Sequence, residues 1–261
     1  MFDKIEKILV PTDFSEHAEN AFNFALEIAH KAGASVSVVH GAKSNYSYGS
    51  DRLLAELSAK NTYENVSVET RVEVGNLGSD LLKTSADLIV VGSKGKSNLE
   101  KVLFGSVTSK LILDASIPVL AIPKDQKFSG FKHLVFTTDF NDRDLKALHQ
   151  VTHFARLFDS KITLLHIADS DNLKAKAASL GFAEMVKQEI DYPEIENRLL
   201  RKKDFFDGMS DFIRDQHPDL IILNRYRKPF FQSLFEKDSI KQEGYTNVPI
   251  LVVPCDVFQG E

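Results

Sequence analysis

One pattern occurs twice along this chain, and it limits the possible folds more than any other feature of the sequence. The stretch Lys7–Phe14 returns as Lys132–Phe140, and the run Asp87–Val91 returns as Asp219–Leu223. The copies stand 126 residues apart at the Asp-Phe pair (139 − 13) and 132 apart at the later run (219 − 87). A repeat of this length indicates two copies of one domain, the second about six residues longer.

Within each copy, short apolar runs alternate with longer amphipathic stretches. In the first copy the runs are Ile5–Val10, Ser35–His40, Val66–Val74, Asp87–Val91 and Pro118–Ile122. Strands that alternate with helices favour a buried parallel sheet with right-handed crossovers. The sequence therefore predicts an α/β protein with two tandem doubly wound domains of five parallel strands. We place them at residues 1–126 and 131–261.

Local signals give the elements more detail. Ser15 is suited to cap a helix, and Gly33 is suited to end it in the left-handed conformation. The apolar positions between them follow helical spacing: Ala18, Ala21, Phe22, Ala25, Leu26 and Ala29. Alternation in Val66–Val74 predicts a strand with one buried face.

Later stretches are interpreted in the same way. Asp80–Ser85 begins a predicted short helix, and Val107, Leu111 and Ala115 are expected to line one face of a further helix. In the second copy the extra residues lie between Asp169 and Tyr192, where we predict a helix over Leu173–Glu189.

Composition excludes several classes of protein. The 261 residues are 43% apolar and 26% charged, with a formal charge of −5, which argues against a nucleic-acid-binding surface. No apolar run approaches the roughly 20 residues that cross a bilayer, and the N-terminus lacks a secretory apolar region. The single cysteine, Cys255, excludes an internal disulfide and a cysteine metal cluster. We expect a cytoplasmic protein with no membrane partner.

Glycines follow the fourth predicted strand at a regular spacing. Gly92, Gly95 and then Gly105-Ser106 form the pattern G-x2-G-x9-G-S, at the start of a predicted helix. Glycine lets a backbone approach a ligand closely, and a helix N-terminus attracts anions. The P-loop pattern does not fit because Val90 replaces its first glycine, and the dinucleotide pattern fails at Lys94 and Asn98. The connection is predicted to hold phosphate, the alternative being that these glycines only shape the turn.

The full spacing resembles the nucleotide-binding pattern of the universal stress protein family. The resemblance implies that the first copy binds ATP, with or without Mg²⁺, and that the protein is a stress-response sensor or regulator. It implies a site made of Pro11, Thr12, Asp13, Gly41, Gly92, Lys94, Gly95, Gly105, Ser106, Val107 and Thr108. The first three would lie beside the nucleoside and Gly41 beside adenine, with the glycines near ribose and phosphates. Ser106, Val107 and Thr108 would give N–H and hydroxyl donors to the phosphates.

Each charged or titratable candidate also has a structural interpretation. Asp13 could instead hold the start of the first helix, and the second copy keeps Asp139 at that place. Lys94 and Lys96 could add charge to the site or simply be solvated. His40 and His166, at matching strand ends, are expected to be structural. We assign no catalytic residue and no metal ligand.

The second copy departs from the glycine pattern. Asn224 and Arg227 replace Gly92 and Gly95, and Lys237 or Asp238 falls near the position of Gly105. Side chains there would crowd a phosphate, so we predict a degenerate site. The nearby Arg225, Arg227 and Lys228 could hold another anion, although a solvated loop is favoured. Phe230, Phe231 and Phe235 are expected to pack against the other copy.

Three functions stay open at this point. The favoured one is an ATP-binding regulator without fast catalysis; the others are a protein-interaction scaffold without nucleotide and a slow ATPase. Activating enzymes of related α/β folds carry a Ser-Gly-Gly loop after the first strand, which Pro11–Ser15 lacks. The resemblance also implies that the copies pair through their last strands as a pseudo-dimer. An unknown protein partner and a further homodimer stay possible.

Overall fold

The computed structural model of the chain describes residues 4–42, 49–74, 81–83, 85–94, 104–169, 173–225 and 247–254. Within these ranges the chain forms two compact units, residues 4–128 and residues 129–225 with 247–254. No helix in these ranges combines the length and the hydrophobicity needed to cross a bilayer.

The first unit is a parallel sheet with helices in its crossovers. Its elements are β1 (Lys7–Thr12), α1 (Glu16–Ala32), β2 (Ser35–Ala42), α2 (Ser50–Ser58), β3 (Val68–Val74), a 3-10 turn (Leu81–Lys83), β4 (Leu88–Gly92), α3 (Ser106–Asp114) and β5 (Val119–Ile122). The strands lie in the order β3-β2-β1-β4-β5. Every pairing among them is parallel.

The second unit repeats this architecture. Its elements are β6 (His133–Thr137), α4 (Asp142–Phe158), β7 (Lys161–Ala168), α5 (Leu173–Glu189), β8 (Ile195–Arg201), α6 (Phe205–Gln216), β9 (Leu220–Asn224) and β10 (Ile250–Val253). The strands lie in the order β8-β7-β6-β9-β10, again all parallel. The predicted α/β fold with parallel sheets is confirmed. The pseudo-dimer stays a prediction.

Helix α1 shows why the sequence folds as it does beside β1. The Ser15 side chain accepts from the amide of Ala18, and Gly33 ends the helix at φ 69°. The six apolar positions of the predicted face are at most 4% exposed. Each large side chain among them stabilises the unit by roughly 1.5–3 kcal/mol through burial. The predicted cap, buried face and end of this helix are confirmed.

The structure differs in detail from three local predictions. Strand β3 was expected to bury one face, but none of its residues is buried, because β3 lies at the edge of the unit's sheet. Val107, Leu111 and Ala115 were expected to line one face of α3; Leu111 and Ala115 are buried, whereas Val107 is 37% exposed. The helix expected from Asp80 is a single 3-10 turn, Leu81–Lys83, in the described residues. The insertion helix, in contrast, has the predicted bounds Leu173–Glu189.

In each unit, an Asp carboxylate at the start of one central strand binds the backbone of the neighbouring central strand. Asp87 Oδ2 accepts from the amides of Glu6 at 2.8 Å and Lys7 at 2.9 Å, just where β1 begins. Asp219 Oδ2 accepts in the same way from the amides of Lys132 at 2.9 Å and His133 at 2.8 Å. The repeated Asp before β4 and β9 therefore fixes the start of the preceding central strand.

Candidate functional site

The strand order of the first unit reverses between β1 and β4, and the space beyond the carboxyl ends of these two strands is called the crevice below. The two strands pair only at Ile8–Leu88 and Leu9–Ile89. Beyond this point β1 contains the buried Pro11, which has no backbone N–H to donate to a neighbouring strand. The carboxyl ends of β1 and β4 therefore part, and such a switch point is where doubly wound sheets bind ligands.

The loop after β1 is fixed by its own side chains. Thr12 Oγ1 accepts from the amide of Phe14, and Asp13 Oδ1 accepts from the amide of Ser15, each at 3.0 Å. Phe14 has a φ of 59°, which a bulky residue rarely adopts. Thr12 is only 3% exposed, whereas Asp13 is partly exposed. Pro11 and Thr12 are thus buried at the end of β1, and the loop becomes partly exposed from Asp13 onward.

A histidine supports this loop from β2. His40 Nδ1 lies 2.8 Å from the carbonyl oxygen of Thr12, and its ring packs against Phe14 with centroids 4.4 Å apart. A carbonyl can only accept, so the proton of the ring is on Nδ1. The expectation that His40 is structural is confirmed. Gly41 follows it in β2 with its backbone partly exposed beside this loop.

The last residue of β4 has no side chain because another element occupies that space. A Cβ added at Gly92 would lie 2.7 Å from the carbonyl carbon and oxygen of His17, and 2.8 Å from its Cβ. Distances this short require a backbone shift. Glycine at position 92 therefore lets α1 begin directly against β4, and its missing side chain serves this packing first.

The helix after β4 presents a bare N-terminus to the crevice. No side chain caps α3 at Gly105, whose backbone is extended at φ −70° and ψ 167°. The amide of Gly105 donates to the carbonyl of Ser93 at 2.8 Å, which joins this N-terminus to the end of β4. The first helical bond runs from Ser109 N to Gly105 O. The amides of residues 106–108 thus precede the helical ladder, and Ser106 is exposed.

Thr108 takes a different role from the expected one. Its side chain is 3% exposed, and its hydroxyl donates to the carbonyl of Gly92 at 2.8 Å. A hydroxyl has one proton, so the expected donation from this hydroxyl to a phosphate is corrected to a structural link between α3 and β4. Lys94 is partly exposed at the crevice. Gly95 and Lys96 lie outside the described residues.

His17 is a residue of this crevice that the sequence did not suggest. It is 9% exposed, and its Nδ1 is buried with no hydrogen-bond partner among the described residues. Burial lowers its pKa below 6.5, and the positive charges of Lys94 and Lys124 lower it further, while Asp125 and Asp13 oppose them. The second copy has Arg143 at the matching position, and this difference could have drawn attention to it.

The matching place in the second unit is filled by protein groups. Asp144 is fully buried, and its Oδ2 accepts from the Thr138 hydroxyl at 2.9 Å and the Asp139 amide at 2.7 Å. The Asn224 side chain donates to the carbonyl of Arg143 at 3.1 Å. Asp144 and Asn224 stand where the first unit has Ala18 and Gly92. These contacts favour the predicted degenerate site.

The other predictions for the second copy fall largely outside the described residues. These are Arg227, Lys228, Phe230, Phe231, Phe235, Lys237 and Asp238. Its structural histidine is described: His166 Nδ1 lies 2.7 Å from the carbonyl oxygen of Thr138, as expected. In the described ranges, no group of three or more His, Cys, Asp or Glu residues is arranged to hold a metal.

Comparison with known proteins places this geometry in a family context. A model of the universal stress protein family matches residues 4–123. A universal stress protein of Methanocaldococcus jannaschii is 30% identical over 143 residues, which are 47% of this chain and 84% of that protein.

Solved structures resemble the fold over nearly the whole chain. A universal stress protein from Archaeoglobus fulgidus superimposes with a TM-score of 0.73 at 18% identity, covering 97% of both chains. A putative universal stress protein from Pseudomonas aeruginosa gives a TM-score of 0.69 at 16% identity, covering 98% of this chain and 95% of that one. At these identities the structures indicate a shared fold only.

Proposed function

This chain belongs to the universal stress protein family, and we propose that its first unit binds ATP, with or without Mg²⁺, in a regulatory role. The observation that carries the proposal is the bare N-terminus of α3, fastened by the Gly105–Ser93 bond to the crevice where β1 and β4 part. Three amides ahead of the helical ladder, at the positive end of a helix, suit a phosphate group.

The residues around this N-terminus bind different parts of the nucleotide. Amides of residues 106–108 meet the phosphates, and Lys94 adds a positive charge at the partly exposed end of β4. Asp13, which is partly exposed in the loop after β1, accepts from hydroxyl groups of the nucleoside. The partly exposed backbone of Gly41 lies toward the base.

The site favours binding over fast hydrolysis. Phosphoryl transfer to water needs a group that positions the water and cations that stabilise the transition state. His40, the nearest histidine at a strand end, has its Nδ1 engaged with Thr12. A regulator that changes its surface when nucleotide binds fits these side chains better than an ATPase does. We expect it to act in the stress response through a protein partner.

A titration tests this function directly. Calorimetry with Mg-ATP should give a saturable signal for the native protein, and Gly105→Asp should weaken binding at least tenfold, or about 1.4 kcal/mol. The new carboxylate would both crowd and repel the phosphates. Ser116→Asp is the matched control, because it adds the same charge to an exposed position at the other end of α3.

The outcomes separate the candidate functions. Equal affinities of the native protein and Gly105→Asp would contradict the proposed cradle. Steady release of phosphate in the same samples would favour a slow ATPase. No binding at all would favour the scaffold, which draws support from α5 of the second unit, where Leu173 is 83% and Leu180 is 72% exposed.

A further inference from the structure

We propose that His17 is a further binding residue of this nucleotide site, where its imidazole, protonated in the complex, donates a hydrogen bond to the phosphate chain. The inference rests on the proposed function and adds a residue and a proton to it. His17 is the second residue of α1 after the Ser15 cap, and its main chain lies directly over Gly92 at the end of β4.

The ring is buried without the hydrogen bonds that usually accompany burial. His17 is 9% exposed, and among the described residues nothing bonds to its Nδ1. An unpaired buried polar atom destabilises the folded state. His40 and His133, in contrast, each place a ring nitrogen within 3.0 Å of an oxygen. His17 is therefore the buried histidine of the first unit that can gain a partner when a ligand arrives.

Charges surround the ring from every element packed against it. They come from the loop after β1, the start of α1, the end of β4 and the turn after β5. The residues are Asp13, Glu16, Lys94, Lys124 and Asp125. Glu16 and Lys124 pair with one another at 2.5 Å. Lys94 is the cation at the mouth of the crevice, and it disfavours a second positive charge on His17.

A polyphosphate would reverse this balance. The free protein keeps the ring neutral near pH 7, because burial and the two lysines lower its pKa below 6.5. Phosphate charge beside Lys94 would offset that cation and favour the imidazolium. Nucleotide binding should then take up a proton from solvent, and affinity should increase as the pH falls. One linked proton changes affinity by at most about tenfold per pH unit.

The second unit shows that this property belongs to the first. Arg143 occupies the matching position, where it has a guanidinium group in place of the imidazole. Its main-chain carbonyl already accepts from Asn224. The first unit thus combines a titratable ring with a helix N-terminus, whereas the second combines a permanent charge with a filled crevice.

Calorimetry in two buffers of different ionisation enthalpy measures the proton directly. ATP titrations at pH 7 should show proton uptake by the native full-length chain, and His17→Gln should abolish that uptake and weaken binding several-fold. ATP can itself exchange protons on binding, and this contribution cancels when the proton uptake of His17→Gln is subtracted from that of the native protein. His153→Gln, at an exposed position of α4, should behave like the native protein.

Each result bears on the proposal. ATP binding with unchanged proton uptake in His17→Gln would overturn the role of His17 and leave the nucleotide site intact. No ATP binding at any pH would overturn both. Should His17→Gln fold poorly, the NMR titration of the His17 ring in the native protein decides. A pKa that rises on adding ATP supports the proposal, and an unchanged pKa refutes it.

Discussion

The two units build the same loop at the same edge of their sheets, but different residues lie beside it. In the second unit Thr138 Oγ1 accepts from Phe140 N at 2.9 Å, as Thr12 does from Phe14. Phe140 has a φ of 61° and packs against His166 at 4.4 Å, as Phe14 does against His40. The loop geometry is therefore kept whether or not the neighbouring crevice is open.

The differences lie in the residues that face this loop. β6 and β9 pair at three positions, from Leu134–Leu220 to Phe136–Ile222, one more than β1 and β4. Thr137 replaces Pro11, and its hydroxyl reaches the carbonyl of Ile222 at 3.3 Å. The second crevice is thus closed by strand pairing and by the Asp144 side chain. Conservation of the loop in both copies points to folding, and the open crevice of one copy points to binding.

The largest effect is expected from the carboxylate that fills the second crevice. Asp144→Ala would leave the Thr138 hydroxyl and the Asp139 amide without their buried acceptor. At about 1–3 kcal/mol for each of the two stranded donors, the free energy of unfolding should fall by about 2–6 kcal/mol. Urea unfolding measures this loss, and ATP affinity should not change.

Asp142→Ala provides the control for this change. It removes the same charge from the exposed first turn of α4 and should cost no more than about 1 kcal/mol. Equal losses for the two variants would show that Asp144 is not what holds the second crevice closed. A loss of ATP affinity in Asp144→Ala would place nucleotide in the wrong unit and break the comparison.

The next effect is expected at Gly92. Gly92→Ala places a Cβ 2.7 Å from the main chain of His17, so α1 must shift away from β4. Overpacking of this kind costs about 1–3 kcal/mol, and the displaced helix start should weaken ATP binding as well. Thermal unfolding and ATP titration measure the two losses.

Gly181→Ala is the matched glycine control. A Cβ there meets nothing within 4 Å, and the residue lies inside α5. This substitution should therefore stabilise the protein by roughly 0.5–1 kcal/mol. If both alanines were tolerated equally, the close approach of α1 to β4 would be disproved.

Helix α1, Gly92 and Asp144 show how much of the structure could be predicted from the sequence alone. Capping by Ser15, the end of α1 at Gly33 and the bounds of α5 follow from neighbouring residues, and they were predicted. The reason for Gly92 was not, because it depends on where a residue 75 positions away (92 − 17) comes to lie. The Asp144–Asn224 contact, 3.4 Å across 80 residues, is equally invisible to local patterns.

Electrostatic and hydrogen-bonding roles at the site were the hardest to foresee. A pattern of glycines, serine and threonine predicts donors, but it does not say which donors the protein itself uses. The Thr108 hydroxyl donates to the carbonyl of Gly92, while the amides of residues 106–108 precede the helical ladder. The repeat offset could have revealed Asp144 and Arg143, since each replaces a residue of different charge in the first copy.

A third, smaller effect tests what the units have in common. Asp87→Ala and Asp219→Ala each remove an acceptor from two strand amides. Because these amides can partly turn to water, we expect a loss of about 1–2 kcal/mol in each case. Urea unfolding should give values within about 0.5 kcal/mol of each other, the level at which distant sites usually add. A much larger difference between the two losses of unfolding free energy would mean that the two carboxylates do not stabilise their units equally.

The smallest effect is the pH dependence of stability, and it distinguishes the buried His17 from the half-buried His133. His17 and His133 both have a pKa lowered from 6.5, chiefly by burial. In each case the unfolded chain binds a proton more readily than the folded one. Their contribution is therefore fully present above pH 6.5 and is lost as the pH falls toward the folded pKa.

Unfolding measured at pH 8, 6.5 and 5.5 should show this loss, and His17→Gln and His133→Gln should each reduce it. ATP separates the two histidines, because a phosphate chain beside His17 raises the pKa of that ring and leaves His133 unchanged. Saturating ATP should thus remove the share of acid sensitivity that His17→Gln removes, and no more. An ATP effect that persists undiminished in His17→Gln would assign the linked proton to a different group, and the contrast between an open, titratable crevice and a filled one would lose its chemical basis.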